Sequence, residues 1–340
     1  MKSNDWYMPA EWEEHKGTIL VWPSNIETWG ETINNVQSSI IELMKVISEF
    51  EKVFVTVKDA QTKYLLNNTI KSERIKNVSV LEITNNDSWV RDFGPNFVLN
   101  RKDKSKPAIN NWRYNAWGGK YPPWEDDLIY TNKFAEISGY KDIFDIDMIL
   151  EGGSIDVNGE GIVLTTKSCL LNKNRNPEMT MSEIEANLKK YLGVNEIIWI
   201  DEGIAGDDTD GHIDDFMRFV DKNNIVCCYE ENKNDENYHV LDKAYNELIN
   251  NSVIKESEIK VHKIPMPSPK YYKEIRIPAS YANFYFVNGG LVVPVFDDTK
   301  DLEVLDFIQS LRPDLKVVGV NGIDFVVGLG GIHCLTQQVY

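Results

Sequence analysis

Residues 181–215, which read MSEIEANLKKYLGVNEIIWIDEGIAGDDTDGHIDD, contain the pattern that decides the fold. Met181 to Leu192 places apolar residues at helical spacing and ends at Gly193, a residue type that often terminates helices. The strand-like run EIIWI follows, and then a polar loop rich in aspartate. A helix that leads directly into a strand is a unit of α/β folds.

The same order recurs along the chain. Apolar helical stripes precede strand-like runs at 28–50 before VFVTV, 240–249 before IKVHKI, and 301–311 before KVVGV. The segment NFYFVNGGLVVPVF at 283–296 predicts a hairpin around an Asn-Gly turn. The spacings are unequal and no low-complexity linker divides the chain, so the sequence predicts a degenerate repeat of α/β units and not a solenoid.

Polar segments follow four of the predicted strands. NVSVLEI runs into TNNDSWVRDFGPN, FDIDMI into LEGGS, EIIWI into DEGIAGDDTDGHIDD, and KVVGV into a loop and a predicted strand that end at Cys334. Loops held by a rigid scaffold commonly carry functional groups. If these strand ends point the same way, the acidic, His and Cys residues of the four segments meet at one mouth.

Composition limits the classes of partner. The 340 residues carry a net charge of -17, which argues against a nucleic-acid partner because a polyanion requires clustered Lys and Arg. A cationic small molecule would suit this charge, although solubility alone is an equally physical and more common reason for acidity. There is no apolar window of about 20 residues and no secretory signal pattern, so we expect a cytoplasmic protein without membrane contact. The four cysteines are expected to be reduced.

Three acidic segments offer candidate binding groups. If His212 and Asp214 lie on an extended segment, their side chains share one face and can touch one ligand; the alternatives are a solvated loop or a metal site. Trp89 and Asp92 suit an organic cation, because a ring face and a carboxylate both attract positive charge; the alternative is that Asp92 pairs with Arg91. Glu151 ends an apolar run, where its neighbouring glycines could serve only a bend.

Cys334 adds a nucleophile to these groups. It follows His333 and a glycine-rich loop, which permits close backbone approach, and a thiolate is a strong nucleophile. A buried cysteine is often inert packing, so the thiol alone decides nothing. An electrophile that needs a cysteine, a histidine and several carboxylates but no metal is a guanidinium group.

Seven motifs together resemble the agmatine deiminase family, which is grouped with bacterial-type peptidylarginine deiminases. They extend from near the N-terminus to the last residues and read MPAEWEEHKGTILVWP, DSWVRDFGPNFV, RYNAWGGKYPPWEDD, LEGGSIDVNGEGIVLTTKSCLLNKNRNP, GDDTDGHIDD, ASYANFYFVNGGLVVPVFDD and IHCLTQQ. The resemblance implies a five-bladed pseudo-symmetric α/β propeller, the pentein fold of the guanidine-modifying superfamily. It also implies a single catalytic domain over residues 1–340, with the site at one end of the pseudo-fivefold axis.

The resemblance also assigns residues and a reaction. The catalytic positions of the family fall on Asp92, Glu151, His212, Asp214 and Cys334, while Trp89 and Trp117 match walls of the ligand site. Asp208 is a candidate for the amine end of the substrate. The implied reaction is hydrolysis of agmatine to N-carbamoylputrescine and ammonia through a covalent thiouronium intermediate, a step of polyamine and putrescine biosynthesis. No metal or other cofactor is implied, and a homodimer is a possible assembly.

In this reaction Asp92 and Asp214 would bind the guanidinium group, Cys334 would attack its carbon, and His212 would transfer protons. Glu151 would orient His212. We expect the two aspartates to raise the pKa of Cys334, so that the thiol ionises when His212 is protonated or the cation is bound.

Alternative functions remain at this point. The substrate could be free or peptidyl arginine, an amine could replace water in an amidino transfer, or the chain could bind polyamines or guanidines without catalysis. A metal-dependent hydrolase is the last alternative. Two features depart from the family pattern: Gly331 stands where relatives usually carry asparagine before IHC, and the segment 263–284 lacks a longer insertion that many relatives carry.

Overall fold

The computed structural model describes residues 5–340. Residues 1–4, which belong to the predicted domain and to the stretch inspected for a signal sequence, lie outside the described residues. The strands of the described chain, β1 to β19, are Trp6–Tyr7, Gly17–Val21, Val53–Val57, Val78–Glu82, Asn96–Asn100, Ala108–Arg113, Ile143–Ile149, Ile155–Val157, Ile162–Thr166, Glu196–Ile200, Met217–Asp221, Asn224–Tyr229, Lys260–Pro265, Lys270–Tyr272, Ile275–Ile277, Tyr285–Val287, Gly290–Val295, Lys316–Asn321 and Thr336–Val339.

The α-helices of the same residues are mostly short, and six of them have nine or more residues. In chain order, α1 to α13 are Ile26–Trp29, Ile33–Ser48, Ala60–Ser72, Val90–Phe93, Ala116–Gly119, Glu125–Leu128, Tyr130–Ser138, Lys167–Leu170, Met181–Leu192, Glu236–Asn250, Ser252–Glu256, Asp301–Leu311 and Ile323–Val326. Three 3₁₀ helices cover Gly30–Thr32, Gly152–Ser154 and Ile213–Asp215. The chain therefore has an α/β fold, as the sequence predicts.

Five sheets of three or four strands share one pairing pattern. Their orders are β19-β2-β3-β4, β1-β5-β6-β7, β8-β9-β10, β11-β12-β13 and β16-β17-β18, and a separate hairpin pairs β14 with β15. In each sheet an antiparallel pair is extended by a parallel strand, as in β8-β9-β10. The parallel step requires a crossover, and helices supply it, for example α9 between β9 and β10.

Helix α9 shows why the sequence forms these crossovers. The Thr180 hydroxyl accepts a hydrogen bond from the Glu183 amide while the Glu183 carboxylate accepts from the Thr180 amide, a reciprocal cap of the helix start. Gly193 ends the helix in the left-handed conformation, with φ at 67°. Ile184, Leu188 and Leu192 form its buried face. The predicted bounds of this helix are confirmed.

Strand β19 joins the two ends of the described chain. It pairs antiparallel with β2, and β2 continues in parallel to β3. The last strand in sequence thus takes the first position in the sheet that contains β2. Buried apolar side chains lie between the sheets and helices in three clusters.

Other predicted elements agree with the structure in part. The hairpin at 283–296 is confirmed as β16 and β17, which pair from Tyr285 with Val292 to Val287 with Gly290. The helical stripe predicted for 28–50 forms one long helix only over Ile33–Ser48, because α1 and a 3₁₀ turn precede it. Among residues 5–340, no helix is long and apolar enough to cross a membrane.

Candidate active site

Each parallel strand at the end of a sheet is followed by a segment that reaches the same region. Asp92 follows β4, Glu151 follows β7, His212 and Asp214 follow β10, and Cys334 follows β18. Their side chains are all buried. The four polar segments that the sequence analysis singled out therefore do meet.

Asp92 lies in the one-turn helix α4 and accepts two hydrogen bonds. The Trp117 indole Nε1 donates to its Oδ2 at 2.9 Å, and the Gly153 amide donates to its Oδ1 at 3.0 Å. Burial raises the pKa of Asp92 to about 6, with Asp214 and Glu151 adding to the rise against the opposing effect of His212. The alternative in which Asp92 pairs with Arg91 is not seen, since the guanidinium group of Arg91 contacts Glu11.

His212 and Asp214 reach the site through a 3₁₀ helix and not through an extended segment. The condition under which the sequence placed both side chains on one face, an extended segment, holds only at His212, because the chain tightens into the 3₁₀ turn Ile213–Asp215. The two side chains nonetheless converge beside Gly153. A Cβ atom placed on Gly153 would lie 2.6 Å from His212 Nδ1 and 3.0 Å from both Asp214 Oδ2 and Asp92 Oδ1.

Gly153→Ala is predicted to damage the site while leaving the fold in place. The added methyl would force His212 and the two aspartates apart, and displacement of reacting groups by about 1 Å can cost about 100-fold in rate. We expect turnover to fall by about that factor, measured as kcat, with an unchanged circular dichroism spectrum. Gly319→Ala is the control, since its Cβ would be equally close, at 3.0 Å, to the apolar Leu305 and Val295. Wild-type kcat in Gly153→Ala would contradict the prediction.

His212 has no hydrogen-bond partner on either ring nitrogen, although both atoms are buried. Its Nδ1 lies 3.7 Å from Asp92 Oδ1 and its Nε2 lies 4.0 Å from Glu151 Oε2. Burial alone would lower the pKa of His212, but Asp92, Asp214 and Glu151 outweigh it and raise the pKa above its ordinary value. Buried polar atoms without hydrogen-bond partners are uncommon in proteins, and both ring nitrogens of His212 are such atoms.

Glu151 is held by the segment that follows α8. The Arg175 Nε group donates to its Oε1 at 2.7 Å, and both side chains are inaccessible to solvent. The other oxygen, Oε2, is 4.0 Å from His212 Nε2 and 3.9 Å from the thiol of Cys169. Glu151 is thus beside His212 but beyond direct hydrogen-bond distance.

Cys334 lies at the inner end of the site, with 6% of its surface exposed. Its Sγ is 3.9 Å from Asp214 Oδ2. Burial raises the pKa of the Cys334 thiol well above its usual range, and Asp214, Asp215 and Asp92 raise it further. The direction agrees with the expectation from sequence, but burial is the larger cause.

His333 holds Asp214 in place through a contact between its imidazole and the carboxylate. Its Nδ1 is 2.6 Å from Asp214 Oδ2 and its Nε2 is 2.7 Å from Glu11 Oε2, across 322 positions of sequence. Glu11 also contacts the guanidinium groups of Arg91 and Arg218, each at 3.2 Å. Burial alone would raise the pKa of Asp214, but His333 outweighs it and holds the pKa below its ordinary value. The other oxygen of Asp214, Oδ1, is buried and has no hydrogen-bond partner among the described residues.

A cavity of about 890 Å³ leads to Cys334. Trp89, Trp117, Asp92 and Asp208 line it, so all three predicted substrate-binding residues border the same space. Trp117 has φ of 54°, a left-handed conformation that is unusual for a bulky residue and is often retained at functional sites. This conformation allows its indole to reach Asp92.

The cavity is also lined by carboxylates and by the side chains of Lys58 and Lys120. Asp208 accepts a hydrogen bond from the Tyr121 hydroxyl and lies 3.5 Å from Lys120 Nζ. Asp87 and Asp127 also line the cavity. Burial raises the pKa of Asp87 to about 6.

Two groups of side chains have ligand atoms close enough to hold a metal ion. They are Glu151, Cys169 and His212, and Asp214, Asp215 and Cys334, with ligand atoms within 4.8 Å of one another in each group. The first group already contains the ion pair of Glu151 with Arg175, whose positive charge opposes a divalent cation. The second contains the thiol that is the candidate nucleophile.

Several site residues were missed by the sequence analysis. Glu11, Asp87, Arg175 and Asn283 all lie inside the quoted motifs. Glu11 and Arg175 could have been found as charged residues in otherwise apolar or turn-forming surroundings. Asn283 offers no such signal because asparagine does not titrate and is common in loops.

A family model described as Porphyromonas-type peptidyl-arginine deiminase matches residues 7–339. The chain belongs to this family. Among relatives of this deiminase, an agmatine deiminase of Ectopseudomonas mendocina is 37% identical over 359 residues, which cover 99% of this chain and 96% of the relative.

Two solved structures of agmatine deiminases are similar over nearly the whole deiminase chain. One, from C. jejuni with substrate bound, has 34% identity and a TM-score of 0.89, and covers 98% of this chain and 96% of its own. The other, from Enterococcus faecalis and described as catalyzing its reaction, has 34% identity and a TM-score of 0.90 with the same coverage.

Proposed function

We propose that this chain hydrolyses agmatine to N-carbamoylputrescine and ammonia. The observation that carries the proposal is the placement of Cys334, His212, Asp92 and Asp214 around one buried point, with Cys334 and Asp92 also lining a cavity. A thiol beside two carboxylates suits an electrophile that is itself positively charged and planar. The agmatine deiminases to which the chain is similar support the same substrate.

In the first half of the reaction, Asp92 and Asp214 accept hydrogen bonds from the guanidinium nitrogens and orient the group. The Cys334 thiolate forms a bond to the central carbon and gives a tetrahedral adduct. Protonated His212 donates its proton to the departing nitrogen, and the carbon–nitrogen bond breaks. Ammonia leaves, and an S-alkyl thiouronium group remains on Cys334.

In the second half, neutral His212 takes a proton from water, and the water oxygen attacks the same carbon. The carbon–sulfur bond breaks and Cys334 leaves as a thiolate. The remaining hydroxyl proton is released to solvent, where it protonates the ammonia, and the product carries a neutral ureido group. His212 is protonated again and the cycle is complete. Glu151 favours the protonated form of His212 through its nearby charge.

Ionisation of Cys334 depends on positive charge in the site. Because its pKa is raised by burial and by three aspartates, the free thiol is mostly protonated near neutral pH. The substrate cation and protonated His212 offset the negative charges and favour the thiolate. Because of this dependence, Cys334 would attack only when the substrate cation is bound in the site.

The remaining substrate contacts follow from the lining of the cavity. Trp89 and Trp117 provide the walls near the guanidinium group, and Trp89 packs against Trp29 with ring centroids 5.2 Å apart. Asp208 is the proposed partner of the primary amine, since it lines the same cavity as Asp92 and Cys334. Its carboxylate would attract the amine of agmatine and repel the carboxylate of arginine, against the opposite effect of Lys120, which lies 3.5 Å from it.

The test of this function is ammonia release from agmatine, free arginine and a blocked arginine peptide, with Cys334→Ala as the control. Release from agmatine alone, in the absence of any acceptor amine and in the presence of a strong chelator, is the expected result. Activity restricted to an arginine substrate would favour a deiminase that acts on free or peptidyl arginine. Activity lost with the chelator would favour a metal-dependent hydrolase, and activity only with an amine would indicate amidino transfer.

The value of kcat/KM should fall on the acid side of pH 6. Asp92 must be ionised to bind the guanidinium group, and its pKa of about 6 means that the carboxylate is lost as the pH falls below that value. We expect kcat/KM to decline about tenfold per pH unit below pH 6, because kcat/KM reports ionisation of the free enzyme. Circular dichroism at pH 5 checks that the chain remains folded. A kcat/KM value that stays constant down to pH 5 would exclude this role of Asp92.

The five sheets also support a finer description of the fold. We propose one catalytic domain arranged as a five-bladed α/β propeller, in which each sheet is a blade. The shared pattern of an antiparallel pair plus a parallel strand supports this arrangement, as does the pairing of β19 with β2.

A further inference from the structure

Each of the five sheets ends in a parallel strand, namely β4, β7, β10, β13 or β18. Four of these strands are followed by a residue with a role in the proposed reaction, and β13 is the exception. The segment after β13 passes through the hairpin β14-β15 and then reaches Asn283, just before β16. Asn283 is 2% exposed. Its position in the repeat is therefore equivalent to that of Asp92, Glu151, His212 and Cys334.

The side chain of Asn283 touches the nucleophile. Its Nδ2 group lies 3.3 Å from Cys334 Sγ and 3.0 Å from Asp215 Oδ1, so each amide hydrogen has an acceptor. Its Oδ1 accepts a hydrogen bond from the His333 amide at 2.9 Å. Because the backbone N–H of His333 can only donate, this contact identifies the accepting atom as the oxygen and assigns the NH₂ group to the 3.3 Å contact with the sulfur. The oxygen itself lies 3.6 Å from Cys334 Sγ, where it can accept from the protonated thiol but not from the thiolate.

Gly331 makes room for this contact. A Cβ atom at position 331 would lie 2.3 Å from Asn283 Oδ1 and 2.7 Å from its Cγ. A side chain at 331 would therefore displace Asn283 from Cys334. Glycine at position 331, where the family pattern usually has asparagine, therefore leaves the space in which Asn283 contacts the sulfur.

We propose that Asn283 is a further catalytic residue, whose Nδ2 group donates a hydrogen bond to the Cys334 thiolate before attack and again when the sulfur leaves the thiouronium carbon. A hydrogen bond to the charged form of an acid stabilises that form. The need for such a donor is evident from the surroundings of the sulfur.

The charged and titratable groups around Cys334 are mostly acidic. The 3₁₀ helix contributes Asp214 and Asp215, α4 contributes Asp92, and its own segment contributes His333, which is engaged by Asp214 and Glu11. The backbone amide of Gly331 acts with Asn283, since it lowers the pKa of the thiol against the larger effect of burial. Asn283 is thus a neutral donor among groups that oppose the thiolate.

This inference builds on the proposed function, but its test needs no turnover. The full chain would be treated with iodoacetamide without substrate, and the modification of Cys334 would be followed by mass spectrometry across pH. In Asn283→Ala we expect the midpoint of alkylation to rise by about one pH unit, so that the rate at neutral pH falls about tenfold. With substrate, kcat should fall by a similar factor. KM should change by less than threefold in either direction.

Asn96→Ala is the matched control. Asn96 is also buried and donates from its Nδ2 to a sulfur at 3.3 Å, that of Met8, but it does not line the cavity. Its alkylation profile should equal that of the wild type. A folded Asn283→Ala chain with an unshifted profile would overturn the proposal, whether or not agmatine proves to be the substrate.

A measurement on the wild type covers the case in which Asn283→Ala does not fold. The assigned side-chain amide proton signals of Asn283 should shift in NMR spectra with the same midpoint as alkylation, and this shift should be absent in Cys334→Ala. Amide signals that do not respond to ionisation of Cys334 would likewise overturn the proposal. A lower melting temperature without either change would indicate a structural role only.

Discussion

Cys334→Ala should reduce ammonia release from agmatine by at least about 10⁴-fold, because removing the group that forms the covalent intermediate leaves only binding and electrostatic effects. Binding should survive. Asp92 and Asp214 reach the guanidinium group independently of the sulfur, and alanine leaves space where Sγ lay 3.9 Å from Asp214. We therefore expect the dissociation constant for agmatine, measured by calorimetry, to stay within about tenfold of the wild-type KM.

The matched control for this variant is Cys227→Ala. Cys227 is also fully buried, but it lies in strand β12 and does not line the cavity. Its variant should retain turnover. In the wild type, acid quenching during turnover should trap an adduct on Cys334 with the mass of agmatine minus ammonia. Turnover by Cys334→Ala at the wild-type rate, or an adduct on another residue, would refute the mechanism.

Asp92→Asn is expected to lose activity and gain stability. The amide cannot carry the charge that binds the guanidinium group, so kcat/KM should fall by about 10³-fold, a magnitude typical of losing one partner of a buried charge pair. The pKa of Asp92 is about 6 in the folded chain, compared with an ordinary value of 3.8. The ionised form is therefore disfavoured by folding, and its cost is present above pH 6 and disappears as the pH falls below about 4.

Removing that cost should raise the free energy of unfolding of Asp92→Asn at pH 8 by on the order of 1–3 kcal/mol. The gain is limited because an amide oxygen cannot serve both Trp117 and Gly153 as the two carboxylate oxygens do. Urea denaturation at pH 8 and pH 4 measures the effect, and the difference from the wild type should shrink at the lower pH. Asp87→Asn is a useful comparison, because burial also raises its pKa to about 6. A variant that is less stable than the wild type at pH 8 would contradict the prediction.

The sequence predicted the parts of the site that have a local signature. Acidic and His residues after strand-like runs identified Asp92, Glu151, His212 and Asp214, because the end of a strand is visible in the apolar pattern. The bounds of α9 were predicted because its cap and its terminal glycine are local features. The resemblance supplied Trp117, whose left-handed backbone has no sequence signal apart from the glycines that follow it.

The sequence could not show contacts made across the whole chain. Glu11 belongs to the site only because His333 reaches it, and Asn283 belongs to it only because Gly331 leaves space. The sequence left the conformation of 212–214 open, because a 3₁₀ turn and an extended segment both place two polar groups near one another, and short polar runs do not distinguish them. Such features depend on packing and not on pattern.

The pairing of β19 with β2 has a consequence for how the protein is made. A chain that emerges from the ribosome presents Asp92, Glu151 and His212 long before Cys334, and contacts between distant segments form late in folding. The centre that could attack a guanidinium group is therefore absent from every shorter intermediate of synthesis. A chain whose synthesis has not reached Cys334 would contain Asp92, Glu151 and His212 but no nucleophile. Attack on a guanidinium group therefore becomes possible only after translation has passed Cys334, just before β19.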